Sequence, residues 1–510
     1  MNFLSIPLIA WLILTPVLSA ALLLLIPSKR IGLLRGSALG LSLIPFVLSI
    51  LLWVNYDPQA RTIFQFEMIY PWFPAIHSSL HFGIDGISLV MVLLTTLLTP
   101  LAVLTSFNIK ERVKAFMVLF LLLETGILGV FISLDLLLFF LFWEIGLVPM
   151  YFLINQWGGE KRNYASLKFI LFTMGGSLGL LLAIQMIGVV SGSFDLLEIL
   201  KTWPAIQSGT LFGLSFETVK TIAFWAFVIA FAIKVPVWPF HTWLPDAHTE
   251  APTAGSMILA GVLLKLGAYG FLRLVLPLFP VESARFAGWL AVLATAAIVF
   301  GALSAAGQTD FKRLVAYSSI SHMGFVILAV AAAAWAGGNS DSAIQQSAVI
   351  AVNGAVLQMF NHGLSAAGMF FLVGVLYDRA HTRVLDKFGG LFAILPVYGS
   401  ILLFVSMASL GLPGLNGFIS EFMIVRGTWP IFTALTAVSM IGLLFTGVYV
   451  LKSLKLVLQG PLKEEWTGKI TEINLREILI IAPLMVLMLS IGIWPAWILN
   501  LINQTVMNWF

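Results

Sequence analysis

The chain has 510 residues, of which 60% are hydrophobic and 10% charged, with a net charge of +4. Its mean hydropathy of +1.02 excludes a water-soluble globular domain of this length. The sequence contains no cysteine, which excludes disulfides, thiolate metal sites and iron–sulfur ligation, so we expect any redox centre to lie in another protein. The small net charge gives no reason to expect nucleic-acid binding.

Fourteen apolar stretches recur along the chain, and a helix of about 20 apolar residues crosses a bilayer. They predict an all-α polytopic membrane protein with about 14 transmembrane helices in one membrane domain, residues 1–510. The first stretch, Ile6 to Ile26, has no positive segment before it and is too long for a signal peptide, so we expect a retained helix. The stretches are centred near residues 16, 44, 95, 123, 145, 178, 228, 263, 295, 322, 360, 405, 443 and 488.

The loops between these helices alternate between the two faces of the membrane, and the positive charges are unevenly divided. The face with loops 1–2, 3–4, 5–6, 9–10, 11–12 and 13–14, here called the lysine-rich face, holds Lys29, Arg30, Arg35, Lys110, Arg112, Lys114, Lys161, Arg162, Lys312, Arg313, Arg379, Arg383, Lys387, Lys452, Lys455, Lys463, Lys469 and Arg476. The opposite, lysine-poor face holds Arg61, Lys201, Lys220, Arg273, Arg285 and Arg426. The positive-inside bias therefore predicts that both termini lie on the periplasmic or lumenal side.

The loop between helices 2 and 3 contains two histidines, His77 and His81, at a spacing of four residues. This spacing would place both rings on one face of a helix. Without a third ligand in an extramembrane loop, the pair is only weak support for a metal site.

Helices 4 and 5 carry acidic residues, although a charge at a helix centre costs about 2.5 to 3.5 kcal/mol on insertion scales. Glu144, in LLLFFLFWEIGLVPMYF, follows two turns of apolar residues and therefore needs a cation as its partner. Glu124 and Asp135 lie near predicted helix ends. An alternative role for Asp135 is to cap the N-terminus of helix 5.

Helix 7 carries Lys234 in KVPVWP, where helix-breaking prolines follow a charge at bilayer depth. We interpret Lys234 as the partner of Glu144. Moving the two charges apart would favour release of the lysine's proton, and bringing them together would favour its retention. The alternative is a static ion pair that only fixes helix packing.

Two further lysines lie in the apolar stretches. Lys265, in MILAGVLLKLGAYGF, is in the middle of helix 8, and lysine suits proton relay because burial readily changes its proton affinity. Lys168 is only about a turn inside helix 6, so extension of its side chain to the membrane surface is an equal alternative.

Helices 10, 11 and 12 contribute His322, His362 and Glu421. Imidazole takes up and releases protons near neutral pH, and the serines, asparagines and glutamine beside the two histidines can hold water. The alternative for each histidine is a hydrogen-bonded packing residue. Glu421 follows a second interrupted stretch, GLPGLNG, and is an acid from which protons could leave.

The two interruptions fall at matching positions in helices 7 and 12. Helices 4 to 8 (residues 114–275) and helices 9 to 13 (residues 284–457) each form a block of five, so the second block enters the membrane from the opposite face. This is the arrangement of inverted repeats, which commonly break one helix per repeat near the midplane. The alternative is that Pro and Gly are simply common in membrane helices.

Long motifs make the family recognisable. FWEIGLVPMYF, KVPVWPFHTWLPDAHTEAPTAGSMILAGVLLKLGAYG and DFKRLVAYSSISHMGF closely resemble the antiporter-like, proton-pumping membrane subunits of complex I, which are shared with Mrp antiporters and membrane-bound hydrogenases. The resemblance covers helices 3 to 13. A glutamate at position 421 and a chain that stops soon after helix 14 are similar to the NuoM/NdhD (chain 4) type.

The resemblance implies a fold of fourteen helices with inverted five-helix repeats. It implies that Glu144 and Lys234 are a controlling pair and that Lys265 is the central relay residue. It further implies that His322 and His362 continue the relay to a terminal acid, Glu421. The function implied is proton translocation driven by an NAD(P)H or ferredoxin:quinone oxidoreductase.

The same resemblance places the flavin, iron–sulfur clusters and quinone on partner subunits, with no cofactor or metal in this chain. The expected partners are other membrane-arm subunits, including other antiporter-like chains, and lipid. The expected location is a bacterial inner membrane or a thylakoid membrane. The alternative function is that of an Mrp-like cation/proton antiporter subunit, and the electron donor and quinone type stay open.

Overall fold

The structure is a computed structural model that describes residues 7–60, 62–206, 208–211 and 213–509. Arg61, counted above in the charge bias, and Ile6, the predicted start of helix 1, lie outside these residues. Within the described residues, thirteen helices are long and apolar enough to cross a membrane, and a shorter apolar helix makes the fourteenth. The predicted number of spans is confirmed.

The bounds of the helices follow the apolar stretches closely. Helices 1 to 7 are Leu8–Leu25, Ile31–Asn55, Gly86–Asn108, Val113–Ile132, Leu136–Trp157, Arg162–Ser191 and Phe216–Lys234. Helices 8 to 14 are Thr253–Leu278, Pro280–Ala306, Phe311–Gly337, Ser342–Ala380, Pro396–Leu410, Thr433–Leu458 and Leu475–Ile493. Helices 3, 8, 10 and 11 form the buried centre, whereas fewer than half of the residues in helices 2, 6, 13 and 14 are buried.

Helices 7 and 12 are both interrupted, as the prolines and glycines predicted. The first half of helix 7 (helix 7a) ends at Lys234, and a second half, helix 7b, covers Trp243–Glu250. Helix 12a ends at Leu410 and helix 12b covers Asn416–Thr428. Gly411 and Gly414 in the second break have φ of 86° and 93°, a left-handed conformation that glycine adopts without steric cost.

Helix 8 is continuous but irregular. Its regular α-helical parts are Thr253–Ile258, Leu264–Gly270 and Leu276–Leu278, separated by π-helical turns at Leu259–Leu263 and Phe271–Val275. Such turns concentrate at functional sites in proteins. Helix 5 has a smaller irregularity at Gly146, which separates Leu136–Ile145 from Leu147–Trp157.

The predicted helical spacing of His77 and His81 is wrong, because a β-hairpin occupies the loop between helices 2 and 3. Strand β1 (Gln65–Phe73) pairs antiparallel with β2 (Ser78–Ile84). His77 lies in the turn with φ of 52°, and His81 lies on β2. The two rings therefore do not share a helix face.

The remaining elements are short and lie in the loops or at the C-terminus. A second hairpin pairs β3 (Thr210–Leu211) with β4 (Leu214–Ser215). The 3₁₀ turns are Pro74–Ile76, Ser106–Asn108, Leu385–Lys387, Leu391–Ala393 and Glu464–Trp466. The additional α-helices are Leu196–Thr202 and a C-terminal helix, Ala496–Met507.

Three polar contacts near the helix ends join segments that the alternation of loops assigns to the same face. On the lysine-rich face, Arg35 donates to the Ile109 carbonyl at 2.6 Å and Arg383 donates to the Thr249 carbonyl at 2.6 Å. On the lysine-poor face, Arg285 pairs with Glu217 at 2.8 Å. Arg273, however, was assigned to a loop, and the structure buries it within helix 8.

Candidate functional site

Lys265 lies at the centre of the bundle and is completely buried. Its ammonium nitrogen donates to the Ala260 carbonyl at 2.5 Å and lies 2.7 Å from Nδ1 of His362. Ala260 belongs to the first π-helical turn of helix 8. The lysine is therefore in direct hydrogen-bond contact with helix 11, as a relay between the two helices requires.

The row of polar side chains continues from His362 to helix 12b. The ring centroids of His362 and His322 are 5.6 Å apart. Nδ1 of His322 lies 2.7 Å from Oε1 of Glu421, and the Tyr449 hydroxyl lies 3.4 Å from Nε2 of His322. Four of the six candidate relay residues, Lys265, His362, His322 and Glu421, thus form one buried row.

Amide and hydroxyl groups hold the broken helix 12 against helix 11. Gln358 donates to Glu421 at 3.0 Å and accepts from the Ser420 hydroxyl at 2.5 Å. Asn361 donates to the Asn416 carbonyl at 2.7 Å and to the Ser420 hydroxyl at 3.0 Å. The bonds from Asn361 hold the start of helix 12b, at Asn416, against helix 11. The bond from Gln358 fixes the position of the Glu421 carboxylate.

Several polar atoms beside the row have no partner among the described residues. They are Nε2 of His362, Oδ1 of Asn361 and Oδ1 of Asn416. Buried polar atoms are normally hydrogen-bonded, and ordered water is the usual partner when protein groups are not. The surroundings of the two histidines are therefore polar enough to hold water.

Glu144 and Lys234 are neighbours, but they are not in contact. Within the described residues, no ion pair of 4.0 Å or less joins them, although the charge of Glu144 acts on Lys234. Lys234 is buried, with its ammonium nitrogen 4.9 Å from the ring centroid of Trp143. Oε1 of Glu144 is buried without a hydrogen-bond partner among the described groups. The predicted partnership is thus electrostatic at a distance.

Lys234 also ends helix 7a, and its position follows from the sequence that comes after it. Pro236 and Pro239 prevent the helix from continuing. A cation at the last turn interacts favourably with the partial negative charge of the helix C-terminus. The break therefore places Lys234 at the C-terminal end of helix 7a.

His248 on helix 7b was missed by the sequence analysis. It is completely buried, and its ring stacks on Phe370 at 4.4 Å with an interplanar angle of 6°. Neither ring nitrogen has a partner in the described part of the chain, and the charges of Lys265 and Lys312 act on it. The sequence signal that could have identified His248 is its position shortly after the break in helix 7.

A cavity of about 230 Å³ opens on the lysine-rich face beside helix 7b. Its lining includes Glu250, Asp378, Arg383 and Lys312. Lys312 is 5% exposed and donates to the Ala251 carbonyl at the end of helix 7b. The cavity therefore connects the loop surface with a buried lysine next to His248.

The two remaining acidic residues, Glu124 and Asp135, lie on helix 4 and at the start of helix 5. Glu124 lies well inside helix 4, contrary to the prediction that it is near an end, and neither carboxylate oxygen has a partner among the described side chains. Asp135 does cap helix 5, since it accepts from the Leu137 and Leu138 amides at 2.9 and 3.0 Å. It also accepts from Ser78 at 3.0 Å, which ties the hairpin to this cap.

Lys168 does not extend freely to the membrane surface. Its ammonium nitrogen lies 2.7 Å from Oδ2 of Asp246 on helix 7b. Arg313 approaches the other oxygen of Asp246 at 3.7 Å. Lys168 thus helps to hold the second half of the broken helix 7.

The described residues contain no group of three or more His, Cys, Asp or Glu that could hold a metal ion.

The family follows from this chain's sequence together with the geometry above. The family model described as NADH:quinone oxidoreductase/Mrp antiporter matches residues 133–449, which is more than half of the chain and includes Glu144, Lys234, Lys265 and Glu421. The chain belongs to this family.

Members of the NADH:quinone oxidoreductase/Mrp antiporter family resemble the chain over nearly its full length. NADH-quinone oxidoreductase subunit M of Rhodobacter capsulatus is 40% identical, over 92% of this chain and 89% of that protein. NADH-ubiquinone oxidoreductase chain 4 of Chondrus crispus is 38% identical, over 97% of this chain and 96% of that protein.

Two solved structures share the fold of the chain. A chain of respiratory complex I from Thermus thermophilus with bound NADH superposes with a TM-score of 0.84 at 27% identity, covering 98% of this chain and 99% of that one. A chain of the Mrp complex from Dietzia sp. DQ12-45-1b gives 0.80 at 23% identity, covering 97% and 52%. The Mrp likeness shows the fold alone.

Proposed function

We propose that the chain is a proton-translocating membrane-arm subunit of an NADH- or ferredoxin:quinone oxidoreductase of the complex I type. The observation that supports this most is the buried row from Lys265 through His362 and His322 to Glu421. The row links helix 8 with helix 12b across the bundle by groups that all exchange protons. The relatives named NADH-quinone oxidoreductase subunit M, which match nearly the full chain, support the same proposal.

The first step is electrostatic. Redox work in partner subunits changes the charge or hydration at Glu144, and this changes the proton affinity of Lys234. Moving one charge against 100 mV requires about 2.3 kcal/mol, whereas one pKa unit corresponds to about 1.4 kcal/mol. Shifts of a few units at two sites are therefore of sufficient size. A pair that is close without touching suits this step, because its separation can change without breaking a hydrogen bond.

Protons enter, in this proposal, from the lysine-rich face. The cavity reaches Lys312, and the charges of Lys312 and Lys265 both act on His248. A histidine with two unpartnered nitrogens can accept a proton at one and release it from the other. Water in the cavity and beside the rings would complete the hydrogen-bonded path.

The second step passes along the row. When Lys265 donates to Nδ1 of His362, the neutral imidazole carries its own proton on Nε2. The gap between the two rings then requires a water molecule, which the unpartnered polar atoms can hold. His322 passes its Nδ1 proton to Glu421, from which the proton leaves.

The assembly around the chain is part of the same proposal. The electron donor, flavin, iron–sulfur clusters and quinone belong to partner subunits, and other antiporter-like chains are neighbours in the membrane. The lysine-rich face meets the cytoplasm or its equivalent. The blocks 114–275 and 284–457 act as inverted repeats, with breaks at matching positions in helices 7 and 12.

Glu144→Gln tests the proposal, because it removes the charge that acts on Lys234 and keeps the size of the side chain. In the intact assembly reconstituted into vesicles, we expect proton uptake per electron to fall at least tenfold. Glu465→Gln, an exposed substitution in loop 13–14, is the matched control and should pump normally. Normal pumping by an assembled Glu144→Gln complex would refute the proposal, and uptake that requires sodium would indicate an Mrp-like antiporter instead.

A further inference from the structure

A second set of polar groups leads away from Lys265 along helix 8 toward the lysine-poor face. Tyr269 and Arg273 follow Lys265 at intervals of four residues, so the three side chains share one face of the helix. Arg273 lies in the second π-helical turn. The relay described above uses neither residue, although both follow Lys265 on the same helix toward that face.

Arg273 forms a buried ion pair with Asp85, the residue that caps helix 3. Its Nη2 donates to the Asp85 carboxylate, and Asp85 is completely buried while Arg273 is 6% exposed. The carbon of the guanidinium lies 5.0 Å from the ring centroid of Phe64. A charge pair buried this deeply is fixed in place, since separating it would leave an uncompensated charge.

Tyr269 is bonded in a way that does not support proton transfer. Its hydroxyl donates to the Phe131 carbonyl at 2.9 Å, a group that cannot pass the proton on. It accepts from Nε of Arg273 at 3.2 Å, and the Ser88 hydroxyl lies 2.9 Å away. A hydroxyl has one proton to donate, and here the carbonyl takes it.

Arginine cannot carry a proton through this position either. Its guanidinium remains protonated in proteins and has no acceptor. A fixed cation in a narrow polar path repels protons and other cations. The C-terminal helix packs against the start of helix 3 beside this ion pair, where the Gly86 amide donates to the Thr505 hydroxyl at 3.1 Å.

We propose that Arg273, held by Asp85 and Tyr269, is a barrier that prevents direct proton exchange between Lys265 and the lysine-poor face. A proton that has reached Lys265 from the entry side then continues along the lateral row through His362 to Glu421. The inference rests on the proposed function, because it assumes that Lys265 carries a proton. Asp85 and Tyr269 position Arg273, and the effect of Arg273 is on leakage.

The test measures passive proton leak, without redox substrates, in vesicles that contain the intact assembly under an imposed pH difference. Asp85→Asn/Arg273→Gln removes the cation without leaving an unpaired charge, and the asparagine can still cap helix 3. We expect its leak to rise at least tenfold above that of the unchanged protein. Arg285→Gln, an exposed substitution on the same face, should leave the leak unchanged.

A second variant separates the effect of the arginine charge from the effect of losing the ion pair. Asp85→Asn alone removes the ion pair and keeps the cation, so its leak should stay at the native level even if the protein is less stable. An equal leak in Asp85→Asn and the double variant, or no leak in an assembled double variant, would overturn the barrier. If the double variant does not assemble, the Asp85→Asn result decides, since a raised leak there contradicts a barrier made by the cation. Failure of the proposed function would instead appear as normal pumping by Glu144→Gln.

Discussion

At the scale of single residues, the site is defined by which charges touch and which do not. Lys265 and His362 are in hydrogen-bond contact, as are His322 and Glu421. Glu144 and Lys234 are near each other without contact. Direct contacts suit proton transfer, and separated charges suit control of proton affinity. The two kinds of arrangement therefore correspond to the two steps of the proposed mechanism.

Glu421→Gln should reduce proton translocation at least tenfold. The amide can keep the hydrogen bonds of the carboxylate to His322 and Gln358, so the local structure should survive, but it cannot accept and release a proton. Proton uptake by vesicles with the intact assembly measures the effect, and Glu421→Asp should retain part of the activity. Equal pumping by Glu421→Gln would show that the row does not end at this residue.

His248→Leu should slow proton uptake several-fold while leaving the stability of the assembly nearly unchanged. Leucine keeps apolar packing against Phe370 and removes both unpartnered nitrogens. Uptake should be compared with that of Thr249→Ser, a mild substitution at the next residue of helix 7b. Unaltered uptake in His248→Leu would exclude the histidine from the entry route.

At the scale of elements, the interruptions of the helices position the reactive groups. The break between helices 12a and 12b brings Gly411 close to Glu421, since a Cβ at Gly411 would lie 3.4 Å from its Oε2. In helix 8, the first π-helical turn supplies the Ala260 carbonyl to Lys265. Regular helices in the same places would present neither the carbonyl nor the close approach.

Gly411→Ala should destabilise the protein by about 1 to 2 kcal/mol, because a residue with Cβ is strained at φ of 86°. Gly447→Ala on helix 13 is the control, since its Cβ would make only an ordinary contact at 3.8 Å with Leu410. Thermal unfolding of the purified assembly measures the stability of both variants. Equal unfolding midpoints would contradict a strained conformation at Gly411.

The hairpin of β1 and β2 is held on the lysine-poor face by His81, whose Nδ1 lies 2.5 Å from the Asp195 carboxylate. Burial would raise the pKa of Asp195, but its hydrogen bond and charge interaction with His81 outweigh burial and lower the pKa below the ordinary value. The charged carboxylate therefore stabilises the fold. This contribution is complete above the unfolded-state pKa of about 3.9 and is lost as the pH falls through the folded-state pKa.

Hydrogen exchange should accordingly show that the hairpin opens more readily as the pH is lowered below about 4. In Asp195→Asn, opening of the hairpin should depend much less on pH. The asparagine can still cap the helix Leu196–Thr202. Identical pH profiles for the two proteins would exclude Asp195 as the titrating anchor.

At the scale of the whole molecule, the apolar stretches predicted the number and order of the spans well, because bilayer thickness fixes helix length. Prolines and glycines predicted the two breaks for an equally local reason. The hairpin was not predicted, since a short antiparallel pair outside the membrane follows no such length rule. The pairing of Asp85 with Arg273, 188 residues apart, and the stacking of His248 on Phe370 depend on tertiary packing that no local pattern reveals.

The orientation of the whole molecule can be tested cleanly because the chain has no cysteine. A single cysteine at exposed position 469, as Lys469→Cys, should react with an impermeant maleimide from the cytoplasmic side. Ser208→Cys on the lysine-poor face should react only from the opposite side. The reverse pattern would show that the charge bias does not set the orientation.

The most direct test of the proton row is the ratio of protons taken up to electrons transferred, recorded together in vesicles with the intact assembly. Lys265→Met keeps the length and apolar stem of the side chain and removes its proton-carrying group. The row predicts that the ratio falls in this variant while the assembly remains complete. An unchanged ratio in a complete Lys265→Met assembly would contradict proton transfer through helix 8.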